Sequence, residues 1–316
     1  MDRLKNVILD TDMGPDCDDA GALAVLNKFC DFGEAKILAL GNCTVFPEAA
    51  CCIDAINRYY GRSTIPVGTL KAADGPGSKV ENKDDWLKYN KYIADNFEHS
   101  FKHTLIPDAV TVYREALAKA EDNSVILITI GFLTNIRNLM MSGDDMYSPL
   151  SGEELINQKV KKIVSMAGNF RSGHEDFFSE FNVNVDIEAA RYVVENFKKE
   201  LVFCPFEMGY PIITGSRLIS TGDMKKNPVA KSYQLYCGPT GSRNSWDLVT
   251  VYYAVRGTHG LFKESKKGTI TIDEKGYTYF KENPQGKHMI IMNRAPITEI
   301  VQIIEDIINL TPELVR

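Results

Sequence analysis

Long apolar runs are missing from this chain: nothing in its 316 residues approaches the ~18 consecutive apolar positions that a membrane helix needs. The opening segment, MDRLKNVILDTD, has neither the apolar stretch nor the small-residue cleavage site of a signal peptide, so a cytoplasmic location is expected. Basic residues are in deficit, 36 Lys and Arg against 42 Asp and Glu, and the net charge of −6 argues against a general nucleic-acid binder. Seven cysteines form an odd set without a Cys-x-x-Cys spacing. They read as free thiols in a reducing compartment, which excludes a disulfide framework and a cysteine zinc site. No glycine-rich run ends in lysine, so a phosphate loop is excluded. Internal repeats, low-complexity tracts and an interdomain linker are also absent, and residues 1–316 are read as a single domain.

What is present is alternation. VILD (7–10), AKILALGN (35–42), IPVGTL (65–70), SVILITIG (124–131), KKIVSMAG (161–168) and ELVFCPF (200–206) read as strands. Between them DAGALAVLNKF (19–29), PEAACCIDAINRYY (47–60), FLTNIRNLMM (132–141) and IEAARYVVENF (187–197) carry helical patterns, with Pro47 in a first turn where its missing N–H does no harm. Apolar strands alternating with helices predict an α/β, Rossmann-like fold, a mostly parallel central sheet with helices on both faces. GTITIDEKGYTYF (268–280) predicts a hairpin around a Lys-Gly turn, and KAADGPGSKVENKDD (71–85) a polar loop.

The loop after the first strand is the chemical signal. VILDTDMGPDCDDAGALAVL (7–26) holds Asp10, Asp12, Asp16, Asp18 and Asp19 and no lysine or arginine. In parallel α/β sheets ligands bind at the carboxyl ends of the strands. Crowded carboxylates repel, and a hard divalent cation with its preference for oxygen ligands relieves them. An EF-hand is excluded, because Pro15 stands where the loop needs glycine and Gly21 where it needs glutamate. A Mg²⁺-dependent aspartyl-phosphate phosphotransferase of the haloacid-dehalogenase type also begins with a strand and Asp-x-Asp, but leaves Asp18 and Asp19 without a role. A solvated acidic turn capping the next helix is the plain structural reading of one such Asp.

The loop and its alanine-rich helix resemble the N-terminal signature of the inosine-uridine nucleoside hydrolase family, usually DxDPGxDDA and here DTDMGPDCDDA, two residues longer. Further blocks resemble the family in its own order: GNCTV (41–45), IPVGTLKAA (65–73), ITIGFLTNI (128–136), MAGN (166–169), SEFNVNVDIEAA (179–190) and SWDLVTVYYAV (245–255). The resemblance implies the nucleoside hydrolase fold and one Ca²⁺ held by Asp12, Asp19, Asp247 and the main-chain carbonyl of Ile130. It implies Asp12 as the base that takes a proton from a cation-oriented water, and Asp18, Asn42, Asn169, Glu180 and Asn182 as ribose contacts, with Asp10 in support at the strand end. Trp246 stands where some members carry a histidine that assists the departing base; core packing is the plain structural reading of such a ring, and stacking on a base is the substrate-binding role expected of it at this position. His174, in the loop NFRSGHEDFFSE, is the remaining candidate for an acid, and Asp16, which has no counterpart in the shorter motif, is expected to be a solvated loop charge. The reaction implied is Ca²⁺-dependent hydrolysis of the N-ribosidic bond of a nucleoside in purine or pyrimidine salvage, by a homodimer or homotetramer. A non-catalytic riboside-binding protein that keeps the metal site is the alternative from another class.

Overall fold

The computed structural model describes residues 4–72, 75–78, 82–101 and 105–312. Twelve strands are found among them: β1 (Lys5–Thr11), β2 (Ala35–Asn42), β3 (Val67–Thr69), β4 (Val125–Thr129), β5 (Val160–Met166), β6 (Glu200–Cys204), β7 (Ile213–Thr214), β8 (Arg243–Asn244), β9 (Phe262–Glu264), β10 (Gly268–Ile272), β11 (Thr278–Glu282) and β12 (His288–Asn293). The main sheet runs β11-β10-β12-β6-β5-β4-β1-β2-β3, with β9 on β12. From β3 across to β12 every neighbouring pair is parallel. At the far edge β10 and β11 form the expected antiparallel hairpin, Ile272 facing Thr278. β7 and β8 make a separate two-stranded ribbon.

The apolar strands are buried on both faces, as their near-continuous hydrophobic runs require. Along β1, Val7 and Leu9 enter the core with the helices α1 (Asp18–Asp31) and α2 (Pro47–Tyr59), while Ile8 enters the opposite core. That second core holds the helices 109–119, 134–141, 152–159 and 187–196. Each such aliphatic side chain, fully buried, contributes roughly 1.5–3 kcal/mol. The small residues of α1 let it lie close against the helix 246–256: a Cβ on Gly21 would stand 2.4 Å from the Tyr233 hydroxyl and 3.0 Å from Leu248.

Most elements fall where the pattern predicts them, with ends moved by no more than two residues. The third strand is confined to Val67–Thr69. In the segment 71–85, residues 83–85 open a short helix, Lys83–Trp86, capped by the Asn82 side chain, and residues 73, 74 and 79–81 lie outside the described set. Helices at 228–237 and 297–308 and strand β12 add to the elements read from the sequence. Among the described residues no helix is long and apolar enough to cross a membrane.

The strand order reverses beside β1, whose two neighbours are β2 and β4. Successive strands run outward from that point in both directions. This opens a crevice at the carboxyl ends of β1 and β4, the place where open α/β sheets bind ligands. Asp10 pairs with Thr129 there, so the loops 12–17 and 130–133 leave the sheet side by side.

Candidate active site

A cavity of about 270 Å³ lies at this switch point. Asp12, Asp16, Asp18, Asp19, Glu180 and Asp247 line it, together with Ile130, Met166, Asn182, Arg243 and an aromatic group of Phe178, Phe181, Phe206 and Trp246. Six carboxylates therefore face one cavity, and among the described residues Arg243 is the one cation on its wall.

Chain geometry explains how the acids converge. β1 delivers Asp12, and α1 begins at Asp18, so Asp18 and Asp19 sit in its first turn, where the helix dipole favours negative charge. The Thr11 hydroxyl donates to Asp19 Oδ1 and accepts from the Met13 amide at 3.1 Å, folding the loop back onto the strand. Asp247 opens the helix 246–256, and its backbone N–H donates to Asp18 Oδ2 at 3.0 Å, tying the two helix starts together. Gly131 brings the β4 loop close: a Cβ there would lie 2.5 Å from the Asp12 nitrogen and 2.8 Å from Cys43 Sγ. Below this layer Asp10 is fully buried and accepts from the Tyr113 hydroxyl and, at 2.8 Å, from Asn135 Nδ2. Burial pushes its carboxyl up to about 7.

The electrostatics of this cluster favour binding of a cation. Burial, then repulsion from the neighbouring acids, holds Asp12, Asp18, Asp19 and Asp247 well above the ordinary carboxylate range. Asp18, Asp19 and Asp247 each offer an oxygen within 4.8 Å of the others, a spacing that one ion with ligands at 2.3–2.6 Å can bridge. All donors are oxygens, which suits a hard divalent cation. The resemblance places Asp12 among the ligands and Asp18 on the ribose, whereas in the structure Asp18 completes the close triad and Asp12 stands beside it on the cavity wall.

The other expected site residues divide. Glu180 and Asn182 line the cavity. Glu180 also caps the short helix 181–184, accepting from Gly168, Asn182 and Val183 amides at 3.0–3.3 Å, and burial lifts its carboxyl to about 7. Asn182 Nδ2 donates to the Met166 carbonyl at 3.1 Å and, more weakly, to the Ile130 carbonyl at 3.4 Å. Asn42 and Asn169 do not line the cavity. The Asn42 amide is engaged with Thr44, Phe46 and Thr69 at 2.9–3.1 Å and holds its own loop. Asn169 donates to the Asp176 carbonyl at 2.8 Å and accepts from the Arg171 amide at 3.0 Å, shaping the loop before Glu180.

One expectation is corrected. Asp16 is no solvated charge: it lines the cavity and holds Arg243 bidentately, with Nε at 2.8 Å from each carboxylate oxygen and Nη2 on Oδ2. His174 is exposed, and none of the described histidines lines the cavity. Trp246 does line it, but its indole N–H already donates to the Phe206 carbonyl at 3.0 Å. Its ring stacks on Phe206 (5.3 Å, 30°), which stacks in turn on Tyr210 (5.2 Å, 30°). Sequence reasoning missed Arg243 and the phenylalanines. The available signal for Arg243 was its place four residues before Asp247 in RNSWD and the unpartnered Asp16.

A family model for the inosine-uridine preferring nucleoside hydrolases matches residues 7–304. The chain belongs to this family. Membership makes it an N-glycosyl hydrolase of the nucleoside hydrolase class, a metal-dependent family. No curated protein matches the chain in sequence. Among solved structures it is similar to an inosine-uridine preferring nucleoside hydrolase from Bacillus anthracis (TM-score 0.70, 18% identity, 96% of this chain and 99% of that one). It is similar also to a purine-preferring ribonucleoside hydrolase from Gardnerella vaginalis (0.70, 18%, 96% and 98%). The effector protein XOO4466 matches at a TM-score of 0.72 with 13% identity over 99% of this chain and 95% of that one. At these identities the likenesses show the fold shared by this family member: a mostly parallel sheet flanked by helices.

Proposed function

We propose that this nucleoside hydrolase family member cleaves the N-ribosidic bond of a ribonucleoside with the help of one Ca²⁺, Asp12 serving as the base toward water. The observation that carries the reading is the buried, all-oxygen cluster of Asp18, Asp19 and Asp247 beside Asp12, whose mutual repulsion is only partly relieved within the described residues: Arg243, paired with Asp16, favours the ionised form of Asp18, yet all four carboxyls stay well above the ordinary range. Asp19 and Asp247 would hold the ion. Asp18, Asp12 and the Ile130 carbonyl line the same wall and complete an oxygen set. When bound, Ca²⁺ supplies charge that orients and acidifies water.

The chain's own residues do the rest. Breaking a bond from nitrogen to C1′ leaves a sugar with cationic character, and carboxylates fixed around it stabilise that charge without reorganising. Asp12 takes the proton as water attacks C1′. Glu180 and Asn182, on the cavity wall, meet the sugar, and the aromatic group of Phe178, Phe181, Phe206 and Trp246 forms the apolar wall against which a planar base rests. One sheet joins strands from residue 5 to residue 293, which supports a single hydrolase domain over residues 1–316. A homodimer or homotetramer, a cytoplasmic location and a role in nucleoside salvage belong to the same reading and rest on the family resemblance. Reducing-sugar release from a panel of nucleosides, with and without chelator, tests it. Chelator-sensitive release supports the reading; binding of nucleosides without release would favour a riboside-binding protein.

A further inference from the structure

Arg243 is placed with more care than a surface ion pair requires. It stands on β8, four residues before Asp247, and two N–H groups of its guanidinium grip Asp16. Its Cζ lies 5.4 Å from the Tyr236 ring centre and 5.1 Å from that of Trp246, so two aromatic faces and one carboxylate fix its plane. A guanidinium has five N–H donors. Among the described residues nothing takes those on Nη1, and the side chain is 32% exposed on the cavity wall. Meanwhile, among the described residues no histidine lines the cavity, and the Trp246 N–H is spent on Phe206.

We propose that Arg243, aimed by Asp16 and flanked by Tyr236 and Trp246, receives the departing aglycone, donating hydrogen bonds to it and balancing the negative charge it acquires. This rests on the hydrolase reading and deepens it, because it names the substrate class: ribosides whose aglycone leaves as an anion stabilised at an oxygen or nitrogen acceptor. Arginine does not give up its proton near neutrality, so it acts as an electrostatic partner and not as an acid. The bond from C1′ to the aglycone breaks with its electron pair going to the aglycone. Water oxygen forms the new bond to C1′ and its proton passes to Asp12. The aglycone anion takes a proton from solvent on release, and Asp12 returns its own to solvent. Asp16 is the positioning residue.

The test uses the Ca²⁺-supplemented protein and a series of substituted phenyl ribosides whose phenols span a range of acidity, with inosine and uridine beside them. In wild type, kcat/KM depends shallowly on phenol pKa. Arg243→Gln loses on the order of 10²–10³-fold on the least acidic phenols and on nucleosides, the scale of one lost charge-stabilising donor. It loses under ~10-fold on the nitrophenyl riboside, which departs as a stable anion unaided. The slope against leaving-group pKa therefore steepens. Asp16→Asn steepens it less, Arg243→Lys lies between, and added guanidinium restores part of the loss in Arg243→Ala. Calorimetry with 4-nitrophenolate alone gives an independent readout, binding at least ~10-fold weaker in Arg243→Gln, about one charge-assisted hydrogen bond. Equal losses on every substrate, with phenolate affinity unchanged, would mean that Arg243 only holds the loop, and the proposal falls. If wild type releases no sugar from any riboside, the hydrolase reading fails, and the phenolate titration still decides whether Arg243 faces an anionic group.

Discussion

Replacing Asp19 by asparagine should stabilise the metal-free protein and destabilise the metal-loaded one relative to wild type. Asp19 is buried, and its carboxyl is held well above the ordinary range by burial and then by Asp12. Without a cation, its ionised form is a charge in a low-dielectric site among like charges, which costs several kcal/mol. Asparagine keeps the shape and still accepts from the Thr11 hydroxyl, so the loop does not lose that tie. In chelator at pH 8 the variant should melt a few degrees above wild type. Calcium reverses the order. At 100 times its dissociation constant, a ligand that binds only the folded state adds ~2.7 kcal/mol. With an unfolding entropy of about 2.1 cal/mol/K per residue, 316 residues give ~0.66 kcal/mol per kelvin, so wild type gains ~4 °C. Asp19→Asn should gain less than half of that. Pairs of melts with EDTA and with saturating Ca²⁺, followed by scanning calorimetry, read both effects. If wild type shows no Ca²⁺ shift, or the variant melts below wild type in EDTA, the carboxylates are not a cation site.

The same linkage sets a pH dependence. Glu180, at about 7, and the aspartates of the cluster have folded pKa values raised above the unfolded ones, so their ionisation costs stability in full above the folded pKa and the cost is relieved as pH falls toward ~4. Metal-free protein should thus melt higher at pH 5.5 than at pH 8, and the Ca²⁺ increment should be larger at pH 8; equal increments at both would contradict the cause assigned. Asp12→Asn should lower turnover by at least the ~10²–10⁴-fold that removal of a general base costs, measured on inosine and on the nitrophenyl riboside; a loss below tenfold on both would move the base elsewhere. Gly131→Ala forces a Cβ to within 2.5 Å of the Asp12 nitrogen, so activity should fall more steeply than the ~1–3 kcal/mol of overpacking would suggest; kcat beside a denaturant titration separates the two. His174→Ala should leave nucleoside turnover and its pH profile unchanged, because the ring is exposed and off the cavity wall; a selective loss on nucleosides would make it the acid after all.

Much of the fold was legible because it is written locally. A strand buried on both faces needs a continuous apolar run, and VILD, SVILITIG and ELVFCPF are such runs. The acidic loop is local too. Asp18 and Asp19 begin a helix whose first turn favours them, and a strand end, a tight loop and a helix start must converge in any parallel sheet. Asn42 marks where this stops. It stands at the end of β2, the right height for a ligand contact, but an amide can spend its whole capacity on neighbours, and nothing in GNCTV reveals that Thr44, Phe46 and Thr69 will use it. The aromatic wall escapes for another reason: Phe178, Phe181, Phe206 and Trp246 come from separate loops and helix starts, and a phenylalanine at a loop end has no pattern to distinguish a cavity wall from a core.

Asp16 shows what a stricter physical reading would have yielded. The loop is two residues longer than the usual signature and carries one more acid, in a cluster already short of cations. Adding a carboxylate to such a cluster raises every neighbour's cost of ionisation, so a solvated charge at that point is a poor solution unless a cation comes with it. The cation is Arg243, 227 residues away in sequence. No local pattern links the two, but their proximity follows once the loop after β1 and the helix carrying Asp247 meet in one carboxylate cluster, since Arg243 lies four residues before Asp247 and Asp16 two before Asp18. The extra acid and the arginine therefore cancel, leaving the net charge of the carboxylate cluster unchanged while fixing a guanidinium on the cavity wall. A longer loop with an acid, matched by an arginine just ahead of the late Asp, is a paired feature: removing either member alone leaves an unbalanced charge on the cavity wall, and removing both should cost the fold little. The double variant Asp16→Asn with Arg243→Gln should accordingly melt within ~1 °C of wild type, each single variant lower, while the double variant's kcat/KM on inosine stays as low as that of Arg243→Gln. A double variant that regains nucleoside turnover would show that the pair serves the loop and not the leaving group.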